Sequence, residues 1–183
     1  FCSHPDNVLV MRFTANKRGK QNLSLVYCPN PLATGETEVN GGNSLVYHAA
    51  LDNNGMRFNV RIKMIARGGK VQRAGGRLSV KGADEVMFLL TADTDYKMNF
   101  DPDFNDPLAY VGVDPDKTTE AWLGAAAKMD YKRLLDRHLE DYQPIFDHVR
   151  LQIGDDLRPD LHKATADRLA DYRKGIEDHY LET

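Results

Sequence analysis

The sequence predicts a mainly β protein with C-terminal helices, in which an antiparallel β-sandwich precedes a helical segment. In the first half of the chain, apolar and polar residues alternate with a period of two, and Gly and Asn residues separate the alternating runs. In the second half, apolar residues recur every three or four positions, which is the spacing of an amphipathic helix. These patterns place a sandwich portion at 1–96, an acidic proline-containing loop at 97–117 and a helical segment at 118–183.

Strands are predicted at 7–16, 20–28, 56–65 and 77–81. The run at 56–65 has an apolar and a polar face, which predicts one buried and one solvated side. The apolar face holds Met56, Phe58, Val60, Ile62 and Met64, and the polar face holds Arg57, Asn59, Arg61 and Lys63. Residues 86–90 are apolar on both faces and therefore predict a central strand that is covered on both sides.

Turn signals separate these runs, because Gly and Asn adopt the positive φ that tight hairpin turns need. The signals are Asn40-Gly41-Gly42, Asn53-Asn54-Gly55, Gly68-Gly69 and Gly75-Gly76. With no helical pattern between the runs, they favour an antiparallel sandwich of about seven short strands over a parallel βαβ sheet.

Helical periodicity follows the loop, which carries five Asp and three Pro residues. Asp116 or Thr118 is predicted to cap the first helix. The stripe of the second helix contains Tyr131, Leu134, Leu135, His138, Leu139 and Tyr142. Pro144 is expected to end that helix or to open a new turn. Val149, Leu151 and Ile153 alternate as in a short strand, and 164–183 predicts two short helices that break near Gly175.

Composition excludes several classes of protein. Hydrophobic residues make up 42% of the chain, as in globular domains, and the net charge of −3 gives no electrostatic case for nucleic acid or an anionic membrane as partner. No apolar run approaches the ~20 residues that cross a bilayer. Two cysteines, Cys2 and Cys28, exclude a disulfide scaffold and a four-cysteine zinc site; two free thiols are favoured over one bridge.

Both ends of the chain fall inside regular patterns. Phe1 stands almost at the start of a strand-like segment, and Thr183 ends a helix-like one. Because natural domains usually begin and end in loops, we expect the sequence to be part of a longer polypeptide.

Two acidic groups are candidates for chemistry. Asp93 and Asp95 share one face of a strand end, and paired carboxylates can act in glycoside hydrolysis; turn residues at a strand end are the favoured alternative. The run that begins at Asp101 resembles the start of an EF-hand loop, but Asp106 and Gly112 stand where that loop needs Gly and Glu. A solvated acidic loop is the favoured interpretation.

No other catalytic constellation is visible, and no cofactor or metal is expected. No HExxH, GxSxG, GxxxxGK[ST] or GxGxxG motif occurs, and no histidine lies four residues from another. The histidines are His4, His48, His138, His148, His162 and His179. Trp122, Tyr27, Tyr47 and Tyr110 can stack on sugar rings, although such aromatics more often belong to a core.

Four blocks, in order, resemble glycoside hydrolase family 95, the α-L-fucosidases and related α-L-galactosidases. They cover 3–17 with its Ser-His-Pro-Asp turn, 76–96, 131–151 and Thr165-Ala166-Asp167-Arg168-Leu169. Ala166 replaces a usual acid, and His148 a frequent Arg. The segment 30–45 has no match.

The resemblance implies that the chain holds the later part of a super-sandwich β-domain and the linker helices that lead to an (α/α)₆ catalytic barrel. The family hydrolyses terminal α-L-fucosyl linkages with inversion, and its reactive carboxylates belong to that barrel. We therefore expect no catalytic residue here, a bracing role in contact with the barrel, a fucosylated glycan as substrate of the parent, and a periplasmic or secreted location. A free-standing carbohydrate-binding module and a small hydrolase that uses Asp93 and Asp95 are the alternatives.

Overall fold

The computed structural model describes residues 1–150 and 163–178. Seven strands are followed by three helices in this part of the chain. In order they are β1 (Cys2–Ser3), β2 (Val8–Thr14), β3 (Gln21–Val26), β4 (Ala33–Asn40), β5 (Ser44–Leu51), β6 (Arg57–Ala74), β7 (Arg77–Thr94), α1 (Pro115–Ala126), α2 (Tyr131–Phe146) and α3 (Thr165–Tyr172). The predicted antiparallel β region with C-terminal helices is confirmed.

The chain divides into two compact units, Phe1–Tyr142 and Gln143–Thr183. The first unit contains the sheet, α1 and most of α2. The second contains the end of α2 and α3, where Arg168 forms an ion pair with Asp178. None of the described helices has the length and apolar character needed to cross a bilayer.

All seven strands belong to one open antiparallel sheet in the order β1-β2-β7-β6-β5-β4, with β3 also paired to β7. The described residues therefore form a single sheet, and the two separate sheets of a sandwich are not among them. β7 is the central strand, as predicted, because its side chains are buried on both faces. Val86 and Phe88 pack into one core cluster, whereas Met87 and Leu89 pack into another.

The long β6–β7 hairpin bends so that its tip approaches its base. β3 ends opposite Arg77 at the tip, and Tyr47 of β5 lies opposite Val60, which pairs with Ala92 at the base. On a straight strand Arg77 and Ala92 would lie ~50 Å apart. Yet the ring of Tyr27, the residue after β3, lies 4.6 Å from that of Tyr47. The bend encloses the first core cluster.

The bend coincides with an irregularity in register between Arg67 and Gly68. Gly69 has φ +71°, and a Cβ there would lie 2.5 Å from the carbonyl oxygen of Lys81, so only glycine fits. The predicted turn at Gly68-Gly69 is therefore wrong: these residues form a bulge inside β6. The other three turn predictions are confirmed, since the glycines of each signal lie between two strands.

Helices α1 and α2 cover the opposite face of the sheet. Leu123 and Ala126 of α1 and Leu134 of α2 pack with Val10 and Leu89. Burial of these apolar side chains fixes the position of α1 against β6 and β7.

Several local predictions are wrong for identifiable reasons. Asp114 caps α1 in place of Asp116 or Thr118, because Pro115 with its fixed φ already occupies the first helical turn. Pro144 lies inside α2, which continues to Phe146. The predicted strand at 149–153 falls mostly outside the described residues, as does the second of the two short helices. Gly175 follows α3 with φ +86°, consistent with the predicted break.

Candidate functional site

The two candidate catalytic acids lie at the end of β7. Asp95 is 5% exposed, and Arg57 holds its carboxylate through the backbone N–H (3.0 Å to Oδ1) and Nε (2.9 Å to Oδ2). This hydrogen bond raises the pKa of Arg57 above its ordinary value. Asp93 accepts from the backbone N–H of Thr94 at 2.9 Å. Both carboxylates therefore accept hydrogen bonds that stabilise the end of β7.

The acidic loop uses its carboxylates on its own backbone. Asp103 accepts from the backbone N–H of Asn105 at 2.9 Å, and Asp106 accepts from that of Leu108 at 2.8 Å. These are Asx turns, which order a loop locally. In residues 1–150 and 163–178, no group of three or more potential ligand side chains is placed to hold a metal ion.

The four described histidines lie in four different environments. His4 lies beside Asp141 (3.3 Å), and His138 stacks between Phe1 and Tyr142, with ring centroids 5.0 and 5.4 Å apart. His48 belongs to a polar cluster under α1, and His148 is exposed near the end of α2. His162 and His179 lie outside the described residues.

The polar cluster lies on the face of β6 that the sequence predicts to be solvated. That prediction is wrong for Asn59 and Arg61, which are 1% and 6% exposed because α1 covers them. Thr119 of α1, fully buried, donates its hydroxyl proton to Oδ1 of Asn59 (2.7 Å) and accepts from Nε of Arg61 (3.3 Å). Burial of these polar atoms is tolerated because they are paired.

Asp116 and His48 complete the cluster. Oδ1 of Asp116 accepts from Arg61 (2.6 Å) and from the amide of Asn59 (3.0 Å). The same amide lies 3.0 Å from Nδ1 of His48, which is also 3.3 Å from Oδ1 of Asp116, and Nε2 of His48 faces Glu38 at 3.3 Å. We call Asn59, Arg61, Asp116, Thr119 and His48 the clamp. Its hydrogen bonds join α1 to the sheet, so the role of the clamp is to stabilise the fold.

A cleft of about 570 Å³ lies between the sheet and the α1–α2 connection. Arg12 crosses it, donates to Glu85 at 2.6 Å and lies 4.6 Å above the ring of Tyr131. The hydrogen bond from Arg12 lowers the pKa of Glu85 and raises that of Arg12. The charges of Arg12 and Glu85 offset each other. Asp130, which also lines the cleft, accepts from the backbone N–H of Arg133 at 2.8 Å.

The structure separates the four aromatic residues that were candidates for sugar stacking. Tyr47 is buried and packs against Tyr27 and Phe58, which makes it a core residue. Trp122 of α1 lines a shallow apolar groove beside β1 and β2. Only Tyr110 lies in a solvent-open cleft together with a second exposed tyrosine, Tyr96.

We call this second site the aromatic cleft. It has a volume of about 280 Å³ and is lined by Asn54, Gly55, Met56, Asp95, Tyr96, Pro107, Tyr110 and Val111. The rings of Tyr96 and Tyr110 are nearly parallel (10°), with centroids 6.0 Å apart. Sequence reasoning missed Tyr96 because it lies just past the last predicted strand, and no spacing pattern links it to Tyr110.

Comparison with known proteins assigns the sheet region to a family. Residues 1–99 match the family model described as glycosyl hydrolase family 65, N-terminal domain. The chain belongs to this family. The match covers all seven strands and ends as the exposed loop begins.

Two curated relatives are similar along most of the chain. "Alpha-L-fucosidase 2" of Arabidopsis thaliana is 27% identical over 84% of this chain and 20% of its own length. "Probable alpha-fucosidase A" of Aspergillus niger is 26% identical over 85% of this chain and 20% of its own length. The chain thus spans about a fifth of the length of these relatives.

A solved structure also matches, at lower similarity. "Putative kojibiose phosphorylase from human microbiome" is 11% identical with a TM-score of 0.43, covering 77% of this chain and 17% of that one.

Proposed function

We propose that this chain is the non-catalytic N-terminal segment of a glycoside hydrolase of the α-L-fucosidase type, and that it braces the catalytic barrel. The observation that carries the proposal is the match of residues 1–99 to a glycoside hydrolase N-terminal domain. The two fucosidases that align with 84% and 85% of the chain support the same class of parent enzyme. The narrower assignment to family 95 rests on the four ordered sequence blocks.

The chemistry of the described side chains supports a non-catalytic role. Asp95 is held by Arg57, Glu85 by Arg12, and Asp116 by Arg61 and Asn59. Glycoside hydrolysis needs two carboxyl groups that flank a sugar, one of them able to give up a proton. Carboxylates in ion pairs with arginine are poor proton donors.

The bracing role is supported by an exposed apolar loop between β7 and α1, at residues 97–113. Its side chains Met98, Phe100, Phe104, Leu108 and Val113 are between 57% and 93% exposed. The backbone of this loop is ordered by Asx turns and by the Tyr96–Val111 bridge. A rigid loop that presents apolar side chains to solvent is typical of a surface that a partner covers.

The proposal has further parts that follow from the resemblance to family 95. The sheet would be the later part of a super-sandwich, α1 and α2 would be linker helices, and the partner of the loop would be an (α/α)₆ barrel. The parent would hydrolyse terminal α-L-fucosyl linkages of fucosylated glycans with inversion, in the periplasm or outside the cell.

The proposal is tested by an assay of the 183-residue chain with an aryl α-L-fucoside. We expect no release of the aryl alcohol, because the reactive carboxylates lie elsewhere. The matched variant is Asp95→Asn. Hydrolysis that rises in proportion to the chain and is lost in Asp95→Asn would refute a non-catalytic role and favour the small-hydrolase alternative.

A further inference from the structure

We propose that the aromatic cleft is a binding site for a single neutral pyranose ring. The inference rests on the geometry around Tyr96 and Tyr110 and does not depend on the proposed fucosidase activity.

The aromatic surface is held in place before any ligand arrives. The N–H of Lys97 donates to the carbonyl of Tyr110 at 2.7 Å, and that of Gly112 donates to the carbonyl of Asp95 at 2.6 Å. These bonds fix the backbones that carry both tyrosines. A Cβ at Gly112 would lie 3.1 Å from that of Lys97, so the small residue permits the close approach. Binding to such a surface loses little conformational entropy.

The two rings also remain accessible. Tyr96 is 49% exposed and Tyr110 is 38% exposed, in contrast to the core residue Tyr47 at 2%. Each tyrosine ring offers an apolar surface with a hydroxyl group at its edge. The C–H face of a pyranose can lie on such an area while its hydroxyl groups remain at the rim.

Two polar residues of the lining, Asp95 and Asn54, can contact the hydroxyl groups of a sugar. Arg57 fixes the carboxylate of Asp95, whose oxygens have remaining lone pairs that can accept hydroxyl protons. Oδ1 of Asn54 accepts from the N–H of Met56 at 3.0 Å, which orients the amide nitrogen as a donor. One acceptor and one donor beside an aromatic surface are the few convergent polar groups of a small-molecule site.

The size and charge of the cleft limit the kinds of ligand that it can bind. A volume of about 280 Å³ is at the lower limit of ligand sites, so one ring fits better than an extended chain. The described residues that line the cleft include no lysine or arginine side chain that would bind the charge of a phosphorylated or carboxylated sugar. A neutral monosaccharide or the terminal residue of a glycan is the ligand that the cleft suits.

The test is a titration of the full chain with methyl α-L-fucopyranoside and with methyl β-D-galactopyranoside, followed by NMR of labelled tyrosine rings. Glycerol serves as a polyol that has no ring to stack. We expect saturable shifts in the Tyr96 and Tyr110 resonances with at least one glycoside and none with glycerol. This measurement on the unaltered chain does not depend on the folding of a variant.

Substitutions of the two tyrosines then test whether the sugar binds in the aromatic cleft. Tyr110→Ala and Tyr96→Ala should each raise the Kd about fivefold to tenfold through loss of stacking, and Tyr96→Phe should change it less than about twofold. The control is Tyr172→Ala, a tyrosine of similar exposure (40%) that does not line the cleft. Absence of saturable shifts with both glycosides, or a Kd unchanged in Tyr110→Ala, would overturn the proposal. Either result would leave the fucosidase proposal standing, since that proposal rests on the match of residues 1–99 and on the two similar fucosidases, and not on sugar binding in the cleft.

Discussion

The clamp under α1 and the exposed loop at 97–113 depart in opposite ways from the usual distribution of polar and apolar side chains. In the clamp, Asn59 and Arg61 are buried, whereas in the loop Phe100 and Phe104 are 93% and 87% exposed. The clamp is complete, because its buried polar atoms bond one another. The loop has its backbone bonds satisfied but exposes its apolar side chains to water.

The clamp joins two elements of the same domain, whereas the loop has the character of a surface for contact with another domain. Buried polar groups are retained when they fix one element against another, and their loss leaves partners without hydrogen bonds. Exposed apolar groups contribute little to the fold that contains them, and a cluster of them is typical of a surface that a partner covers. Substitutions in the clamp should therefore reduce stability, and those in the loop should change association.

The largest effect is expected for Arg61→Met. The substitution keeps most of the side-chain volume but leaves Asp116 without its buried cation, at an expected cost of about 3 kcal/mol in the free energy of unfolding. Denaturant unfolding measures this quantity. The matched control is Arg73→Met, at an exposed position of the same strand, where we expect less than about 0.5 kcal/mol. Equal effects at both positions would show that the clamp does not stabilise the fold.

A smaller effect is expected for Thr119→Val, which keeps the shape of the side chain and removes only the hydroxyl. Oδ1 of Asn59 and Nε of Arg61 then lose their partner, for an expected loss of about 2 kcal/mol. The neighbouring Thr118→Val is the control, since Thr118 bonds only the carbonyl of Asp114 within its own helix (3.3 Å). If Thr118→Val is the more damaging change, the assignment of the clamp to Thr119 is wrong.

The Arg12–Glu85 pair predicts a modest pH dependence. The pKa of folded Glu85 lies below its ordinary value of 4.5 because Arg12 donates to it, so its contribution is fully present above that value. The contribution is lost as the pH falls through the lowered pKa. Since the Arg12 side chain is 37% exposed, we expect about 0.5–1 kcal/mol.

The measurement is the free energy of unfolding between neutral pH and acid, for the unaltered chain and for Glu85→Gln. The variant should be less stable at neutral pH and should lose less stability on acidification. Glu36→Gln, at an exposed position, serves as the control. Parallel pH profiles for all three proteins would contradict the assignment.

The smallest effect on stability is expected in the loop. The double substitution Phe100→Ser with Phe104→Ser should change the free energy of unfolding by less than about 0.5 kcal/mol, because both rings are exposed. It should also reduce self-association at high concentration in light scattering. Phe88→Ser, at a position 5% exposed, is the contrast and should severely destabilise the sheet. A large loss of stability in the loop variant would mean that the loop packs on its own domain.

Much of the fold was predictable because local patterns determine it. The run at 56–65 alternates along β6, and three Gly-containing turns fall between strands, since φ and pleat are local properties. The bulge at Gly68-Gly69 was not predictable, because a turn and a bulge use the same glycines. The bulge is distinguished from a turn only by the close approach of Lys81, which lies on the neighbouring strand.

The sites were less predictable for a related reason. Asn59 and Arg61 follow the alternation of a solvated face, and only the packing of α1 shows that they are buried. Asp116 and Thr119, three residues apart on that helix, were the available signal. Tyr96 and Tyr110 meet because a loop closes between them, and neither lies in a periodic run.

The most direct test of the bracing role is to mix the 183-residue chain with the separately produced catalytic segment of the parent enzyme, and to measure both binding and α-L-fucosidase activity. We expect a complex with a Kd in the micromolar range or tighter, with restored activity, and weaker binding by at least about tenfold for Phe100→Ser with Phe104→Ser. A catalytic segment that is fully active alone and does not bind the chain would contradict the account.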